Sequence, residues 1–490
     1  MVTASKDITH LLSEEARSRR PSPLKTAFKY FGNPDIVFLG GGLPLSDYFP
    51  WNKVTAHSPA VPFSKGIGAV PVTEEDALVI DLHKKKEFLE NADDIELSRA
   101  LQYGYTEGQH ELMKFLKEHT ELIHKLPYED WGCVATIGNT QAWDAVLRTF
   151  CDKGDTILVE EFTFSSALET ANALGITQFP VPMDESGILP DKLEHLLDNW
   201  VGKKPKLLYI IPTGQNPTGS CLSVERRKAI YKVAQKHDFV IIEDEPYYFL
   251  QMETYTQDVA AREGKHVHSH EEFINALVTS FLHLDTEGRV IRLDSFSKVL
   301  APGTRFGWIV AQNNILERFV RLHEVTIQCP SGFTQSIING TLQRWGQSGY
   351  LDWLIGLRAE YTHKRDVAID AVYKNFPLDV IKFTPPVAGM FFTISFDASK
   401  HPDFETKYGK DPLKVEEALY ESGLQGGCLM IPGSWFKAVG QTEPPQPVEE
   451  TDPESANWIF FRGTYAAVPL DKLQKGLENF GASAKKEYGL

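Results

Sequence analysis

Between residues 132 and 310, short apolar runs alternate with helical patterns, and most of the runs end in polar residues. Gly132–Ile137, Thr156–Glu160, Leu207–Pro212, Phe239–Glu243, Val290–Leu293 and Gly307–Val310 read as buried strands. Helical stretches at 140–151, from Ser165 and at 223–237 separate the earlier ones. Strands spaced by helices build a mostly parallel sheet covered on both faces. The chain is therefore expected to be α/β. Ligands of open α/β sheets bind beyond the carboxyl ends of the strands. The polar residues that close each run are the candidates for chemistry.

Outside this region the texture differs. Residues 1–50 read as an arm, because Pro21-Ser22-Pro23 and the Phe38–Pro44 stretch interrupt any long helix. Residues 51–95 read as loop-rich. Tyr350 to about Tyr373 reads as one long helix linking two domains. Strands at Met390–Ser395, Cys428–Ile431 and Trp458–Arg462, with helices at Val415–Ser422 and Asp471–Phe480, suggest a smaller second α/β unit. The expected division is an arm at 1–50, a large domain at 51–345 and a small domain at 346–490. Residues 255–288 form an insertion. Residues 438–457, rich in Pro, Glu, Gln and Thr, read as an exposed loop.

Composition removes several function classes. Fifty Lys and Arg against 66 Asp and Glu give a net charge of −16, which repels a phosphate backbone. The densest basic cluster, Arg17, Arg19 and Arg20, sits beside Glu14 and Glu15, so no nucleic-acid partner is expected. Five cysteines, widely spaced and without a CxxC pair, indicate neither zinc nor a disulfide framework. His266, His268 and His270 alternate on a polar stretch without nearby ligands to close a metal site. No run of about 18 apolar residues occurs, so no membrane span is expected. The acidic N-terminal residues argue against a signal peptide, and the cytoplasm is the expected location.

Four segments carry chemistry. Asp294-Ser295-Phe296-Ser297-Lys298-Val299-Leu300-Ala301-Pro302-Gly303-Thr304-Arg305 follows an apolar strand. Lys298 there can form a Schiff base with a carbonyl cofactor. Ser295, Ser297 and Arg305 can hold a phosphate, for which a guanidinium is bidentate. Read alone, the segment is equally a polar turn. Glu243-Asp244-Glu245-Pro246-Tyr247-Tyr248 also ends a buried strand. An acid at that depth needs a cationic partner. A pyridinium nitrogen is one, and pyridoxal-phosphate enzymes pair a lysine Schiff base with such an acid. Asp244 is the candidate, since Glu243 and Glu245 face the other way on an extended chain. Asn216-Pro217-Thr218-Gly219 offers an Asn to a ring hydroxyl, or is an ordinary turn. Gly138-Asn139-Thr140-Gln141 offers helix N-terminal N–H groups to a phosphate, with Asn139 alternatively a helix cap.

In this order and spacing the four segments resemble the fold-type I, class I/II pyridoxal-phosphate aminotransferases, from about Pro21 to Gly481. Arg20-Pro21-Ser22-Pro23, Gly41-Gly42-Leu43-Pro44, Leu101-Gln102-Tyr103-Gly104 and Phe460-Phe461-Arg462-Gly463-Thr464-Tyr465 resemble the aminoadipate, kynurenine and fungal aromatic branch. The resemblance implies a mostly parallel seven-stranded sheet in the large domain and pyridoxal 5′-phosphate as cofactor. It implies that Lys298 bonds the cofactor and moves the proton, and that Asp244 pairs with the ring nitrogen. Tyr247 and Asn216 would bond the ring 3-oxygen. Ser295, Ser297, Arg305, Asn139 and Thr140 would hold the phosphate, and Phe164 would stack on the ring. Tyr103 would reach the neighbouring subunit's phosphate in a homodimer. Arg462 would grip the substrate α-carboxylate, Gly42 would let backbone approach the substrate, and Lys25 would stand near its side chain.

The implied reaction moves an amino group from aromatic amino acids, 2-aminoadipate or kynurenine to 2-oxoglutarate or an aromatic 2-oxo acid. The alternative is another reaction of the same cofactor, such as β-elimination. A transcriptional regulator on this fold would need a DNA-binding unit, for which about 20 residues before Pro21 are too few. With Lys298, Asp244 and Arg305 all present, a catalytically dead scaffold is not expected either. On the arm reading, removing residues 1–30 would disturb substrate choice and leave the cofactor bound.

Overall fold

The computed structural model describes residues 4–22, 35–37, 39–63, 66–68, 77–262, 267, 269–438 and 455–490. Lys25, His266, His268 and most of the 438–457 loop lie outside the described residues.

The strands are β1 Lys53–Pro59, β2 Ala77–His83, β3 Trp131–Thr136, β4 Thr156–Glu160, β5 Thr177–Val181, β6 Leu207–Ile210 and β7 Val240–Asp244. They continue with β8 Val290–Ser295, β9 Gly307–Gln312, β10 Ile381–Lys382, β11 Phe391–Asp397, β12 Ile431–Pro432 and β13 Trp458–Thr464. The main sheet has seven strands in the order β3-β9-β8-β7-β6-β4-β5. Strand β9 runs antiparallel to β3 and β8, whereas β7 is parallel to β8, and β4 to β5 and β6. Every residue of β6, β7, β8 and β9 is buried. That is why β6 and the start of β7 are continuous apolar runs, while β8 buries Arg292 and Asp294 between its apolar residues.

The chain falls into two compact units, each discontinuous in sequence. The first holds Met1–Lys153, Phe239–Pro246 and Thr279–Leu354. Its helices include α1 Asn139–Phe150, the short α3 Phe281–Leu284 and α4 Asn313–His323, which packs on β3, α1 and β9. The second holds Gly154–Asp238, Tyr247–Val278 and Ile355–Leu490. It contains α2 Ser165–Ala173, α6 Pro412–Gln425, α7 Leu470–Tyr488 and an antiparallel sheet in the order β10-β11-β13-β12. Its core joins Phe392, Ile394 and Phe396 of β11, Phe461 of β13, and Leu477 and Phe480 of α7. A long helix, α5, runs from Gly332 to Asn375 and breaks at Gly346, whose φ of 65° no helical residue adopts. The helix expected from Tyr350 is thus the second half of a longer, kinked one.

Three expectations change. Residues 51–95 also carry two strands: β1 and β2 pair antiparallel, Lys53 with His83 through Pro59 with Ala77. Ile80 and Leu82 of that hairpin are buried with Leu97. The strand expected at Cys428–Ile431 is displaced to Ile431–Pro432. Gly426 and Gly427 turn the chain there, Cys428 N–H donates back to Gly423 O, and Leu429 is exposed. The insertion is partly core, since Phe273, Phe281 and Leu282 are fully buried.

Residues 5–16 belong to the body of the first unit. Ile8, Leu12 and Ala16 are buried. Ser13 N–H donates to Thr149 O at 2.9 Å, Ser13 Oγ donates to Arg148 O at 2.6 Å, and Ser5 N–H donates to Asp130 Oδ1 at 2.9 Å. Each large apolar side chain buried here stabilises by about 1.5–3 kcal/mol. Deleting residues 1–20 is therefore expected to lower the melting temperature by several degrees. Circular dichroism or calorimetry checks this, and an unchanged melting temperature contradicts the packing described.

Candidate active site

The first unit places an anion cradle where β3 and β8 end. The turn 137–139 enters α1 through Gly138, which has a φ of +105°. A Cβ at Gly138 would collide with Arg305 Nη2. Only glycine lets the guanidinium lie against the start of this helix. Arg305 Nη2 donates to Ile137 O at 2.9 Å, and its Nη1 lies 3.4 Å from Ser297 Oγ. Ser295 Oγ and Ser297 Oγ are 2.8 Å apart. Gln141 braces the turn by accepting from Ile137 N–H at 3.3 Å. The main-chain N–H groups of Asn139 and Thr140 open the helix, and such N–H groups favour an anion. One guanidinium, two hydroxyls and a helix N-terminus thus converge, which suits a phosphate.

Asn139 is the first residue of α1 and not its cap; Gly138 is the cap, without a side-chain bond. The Asn139 side chain instead turns inward. Its Nδ2 donates to Asp244 Oδ1 at 2.6 Å and to Leu293 O at 2.9 Å. The alternation expected at the end of β7 is present. Asp244 bonds α1, whereas Glu243 accepts from Phe281 and Leu282 N–H at the start of α3. Glu243 also pairs with Arg292 at 3.2 Å, its neighbour in register on β8. Arg292 bonds Asp294 as well, at 2.7 and 3.0 Å. Burial opposes the Arg292 charge, but the Asp294 and Glu243 carboxylates outweigh it and raise its pKa. Burial raises that of Asp294, and Arg292 opposes it.

Lys298 is half-buried just beyond β8. Burial first, and the nearby Arg305 charge second, lower its pKa. Both favour the neutral amine, the form that attacks a carbonyl. Tyr103 is exposed. Gln102 beside it donates from Nε2 to Pro44 O at 2.7 Å, which joins the 41–44 and 101–104 segments. Gly42 is exposed, with nothing within 4 Å of where its Cβ would stand.

The second unit holds the other predicted residues. Arg462 lies on β13 between Thr393 of β11 and Ile431 of β12. Its Nη1 donates to Asn216 Oδ1 at 2.7 Å. Its guanidinium stacks between Phe391, at 4.4 Å, and Phe436, at 4.6 Å. Burial lowers its pKa and the Tyr247 hydroxyl opposes that. The edge of a guanidinium matches a second planar group, and a carboxylate is the matching one. Tyr247 is buried edge-on to Phe391, with ring centroids 5.8 Å apart.

The Asn216 loop is fixed from below. Gln215 Nε2 donates to Glu160 Oε2 at 2.9 Å and to Phe162 O at 2.6 Å. Gly214, at φ +61°, passes so close to Gly389 that a Cβ would stand 2.5 Å from its nitrogen. Phe164 caps α2, and Thr163 N–H donates to Phe436 O at 2.9 Å. Phe391 and Phe436 were not predicted, because single aromatic residues in apolar segments carry no sequence signal of contact with a cation. Among the described residues there is no His, Cys, Asp or Glu group that would hold a metal.

These residues fit pyridoxal 5′-phosphate. The cradle closed by Gly138 and Arg305 suits its phosphate, and the buried Asp244 carboxylate suits a protonated ring nitrogen. Lys298 suits its carbonyl. Comparison with known proteins agrees. The family model for class I and II aminotransferases matches residues 80–457. An aromatic amino acid aminotransferase of Schizosaccharomyces pombe is 40% identical over the full length of both chains. The crystal structure of aminotransferase Aro8 from Candida albicans is 62% identical, covers 99% of this chain and 100% of that one, and has a TM-score of 0.95. The Pyrococcus horikoshii kynurenine aminotransferase, in complex with PMP, is 26% identical over 98% of each chain, with a TM-score of 0.65. The expected fold and cofactor are borne out: this chain is a pyridoxal-phosphate enzyme and belongs to the class I and II aminotransferases.

Proposed function

We propose that this aminotransferase moves the amino group of aromatic amino acids, and of 2-aminoadipate or kynurenine, to 2-oxoglutarate or an aromatic 2-oxo acid. The observation that carries the reading is Arg462, a half-buried guanidinium held by Asn216 and stacked between two phenylalanines. Every α-amino acid and 2-oxo acid presents the planar carboxylate it matches. The full-length similarity to aromatic aminotransferases supports the aromatic substrate class. Residues 51–345 would serve as the cofactor-binding domain and 346–490 as the small domain.

The cofactor, when bound, supplies a carbonyl carbon to carry the amino group and a ring to take up the electron pair left at Cα. The protein supplies the rest. Ser295, Ser297, Arg305 and the α1 N–H groups of Asn139 and Thr140 bind the phosphate. Asp244 keeps the ring nitrogen protonated. Asn216 and Tyr247 donate to the ring 3-oxygen, and Phe164 covers the ring face. Lys298 Nζ would take the proton from the substrate Cα and hold it for return to the carbon that receives the amino group. Positioned proton transfer of this kind contributes roughly 10²–10⁴-fold. Arg462 would grip the substrate α-carboxylate through its planar guanidinium. Gly42 and Lys25 would border the substrate side chain.

A homodimer with shared sites fits the same reading. Tyr103 and Tyr105 are exposed, as are Val37, Leu39 and Tyr48 in the same unit. Burying such side chains against a second copy would remove apolar surface from water. Sedimentation is expected to give a dimer, and Tyr103→Ala is expected to release cofactor several-fold faster. A monomer that retains full activity would sink this reading.

The substrate assignment is tested by incubating the holoenzyme with phenylalanine and 2-oxoglutarate and measuring products. Phenylpyruvate and glutamate are expected in equal amounts, without free ammonia. Ammonia released without an acceptor would point to elimination instead. Arg462→Lys keeps the charge and loses the bidentate edge. It is expected to raise KM for both substrates at least tenfold, since a hydrogen bond to a charged group contributes about 1.5–3 kcal/mol. An unchanged KM would remove Arg462 from carboxylate binding.

A further inference from the structure

The acid at the end of β7 is held by a side chain from another element. Asn139 Nδ2 lies 2.6 Å from Asp244 Oδ1 and 2.9 Å from Leu293 O. A carboxamide nitrogen carries two hydrogens, so both bonds form together. Leu293 is the register partner of Asp244 across β7 and β8. One hydrogen therefore anchors the amide to the sheet, and the other grips the carboxylate. The orientation of the amide follows from its surroundings. Turned over, its oxygen would face two acceptors, a carboxylate and a carbonyl. Asn139 Oδ1 is buried and has no hydrogen-bond partner. The amide thus forgoes a bond on one side to make both on the other.

The charged neighbours have bonds of their own. Glu243 and Asp294 are matched by Arg292 on β8, and Glu243 also by the N–H groups opening α3. Arg305 bonds Ile137 O and Ser297, and Lys298 lies beyond the end of β8.

We propose that Asn139 is a positioning residue: its amide orients the Asp244 carboxylate and favours its ionised form, and so keeps the cofactor's ring nitrogen protonated. The proposal rests on the reading that Asp244 faces that nitrogen. It gives Asn139 two jobs, a main-chain N–H for the phosphate and a side chain for the acid.

The readout is the pH titration of the visible absorbance band of the holoenzyme, which follows the proton on the nitrogen Lys298 shares with the cofactor. A positive ring nitrogen disfavours that proton. Weaker support from Asp244 must then let the proton persist to higher pH. Asp244→Ala is expected to move the midpoint upward. Asn139→Ala is expected to move it the same way by a smaller amount, about three- to tenfold in proton affinity, and to weaken cofactor binding about tenfold. Melting of the cofactor-free proteins is measured alongside. A purely structural tie to Leu293 would lower that melting temperature and leave the midpoint in place. Should Asn139→Ala not fold, Asn139→Leu, of similar volume and without a donor, gives the same readout. A midpoint that moves in Asp244→Ala and not in the Asn139 variants overturns the proposal alone. A midpoint unmoved in Asp244→Ala overturns the reading of Asp244 and the proposal with it.

Discussion

A buried strand that ends in two adjacent acids must find a partner for each, and on an extended chain the partners lie on opposite faces. Strand β7 meets this constraint with Glu243 and Asp244. Arg292 and the first N–H groups of α3 take up Glu243. Asp244 turns the other way, to Asn139 at the start of α1. The strand neighbouring β7 supplies Arg292 and, at its end, Ser295, Ser297 and Lys298. The geometry of the candidate site thus follows from neighbouring parallel strands, with the acid at the end of one and the lysine just beyond the end of the next.

The two clusters divide the chemistry by charge. The first unit gathers Arg305, a helix N-terminus and two serines, a set suited to a dianionic phosphate. The second holds Arg462 between two aromatic faces. Stacking suits arginine because its flat, weakly hydrated guanidinium loses little on desolvation, and a lysine ammonium would lose more. In a chain with a net charge of −16, these cations mark where anions are meant to bind. The braces are rigid, too. Glycine at 138, 214 and 389 lets backbone and guanidinium approach closer than any side chain would permit.

The sheet strands were legible because burial on both faces leaves continuous apolar runs such as Val240-Ile241-Ile242. Lys298, Asp244 and Arg305 stood out as candidates because they lie in polar segments at or just beyond the ends of such runs. Other features were hidden for physical reasons. Strand β2 alternates Leu78, Ile80 and Leu82 inward with Val79, Asp81 and His83, but its partner β1 carries little apolar residue. Residues 5–16 look polar, and only four apolar side chains, Ile8, Leu11, Leu12 and Ala16, are buried among them. Arg292 sits inside an apolar run, where nothing in the spacing says which acid it meets. The inward turn of Asn139 was hidden because a residue opening a helix can point to its own backbone or across to another strand. Only the fold decides between them.

The central claim is that Lys298 holds a cofactor that accepts an amino group and passes it on. A stopped-flow absorbance scan of the purified holoenzyme tests it most directly, with one substrate at a time. Phenylalanine alone is expected to bleach the visible band in a single turnover, and 2-oxoglutarate alone is then expected to restore it. Lys298→Ala should lack the lysine-bound band altogether. A band that persists in Lys298→Ala, or a wild-type band that no amino acid bleaches, would contradict the account.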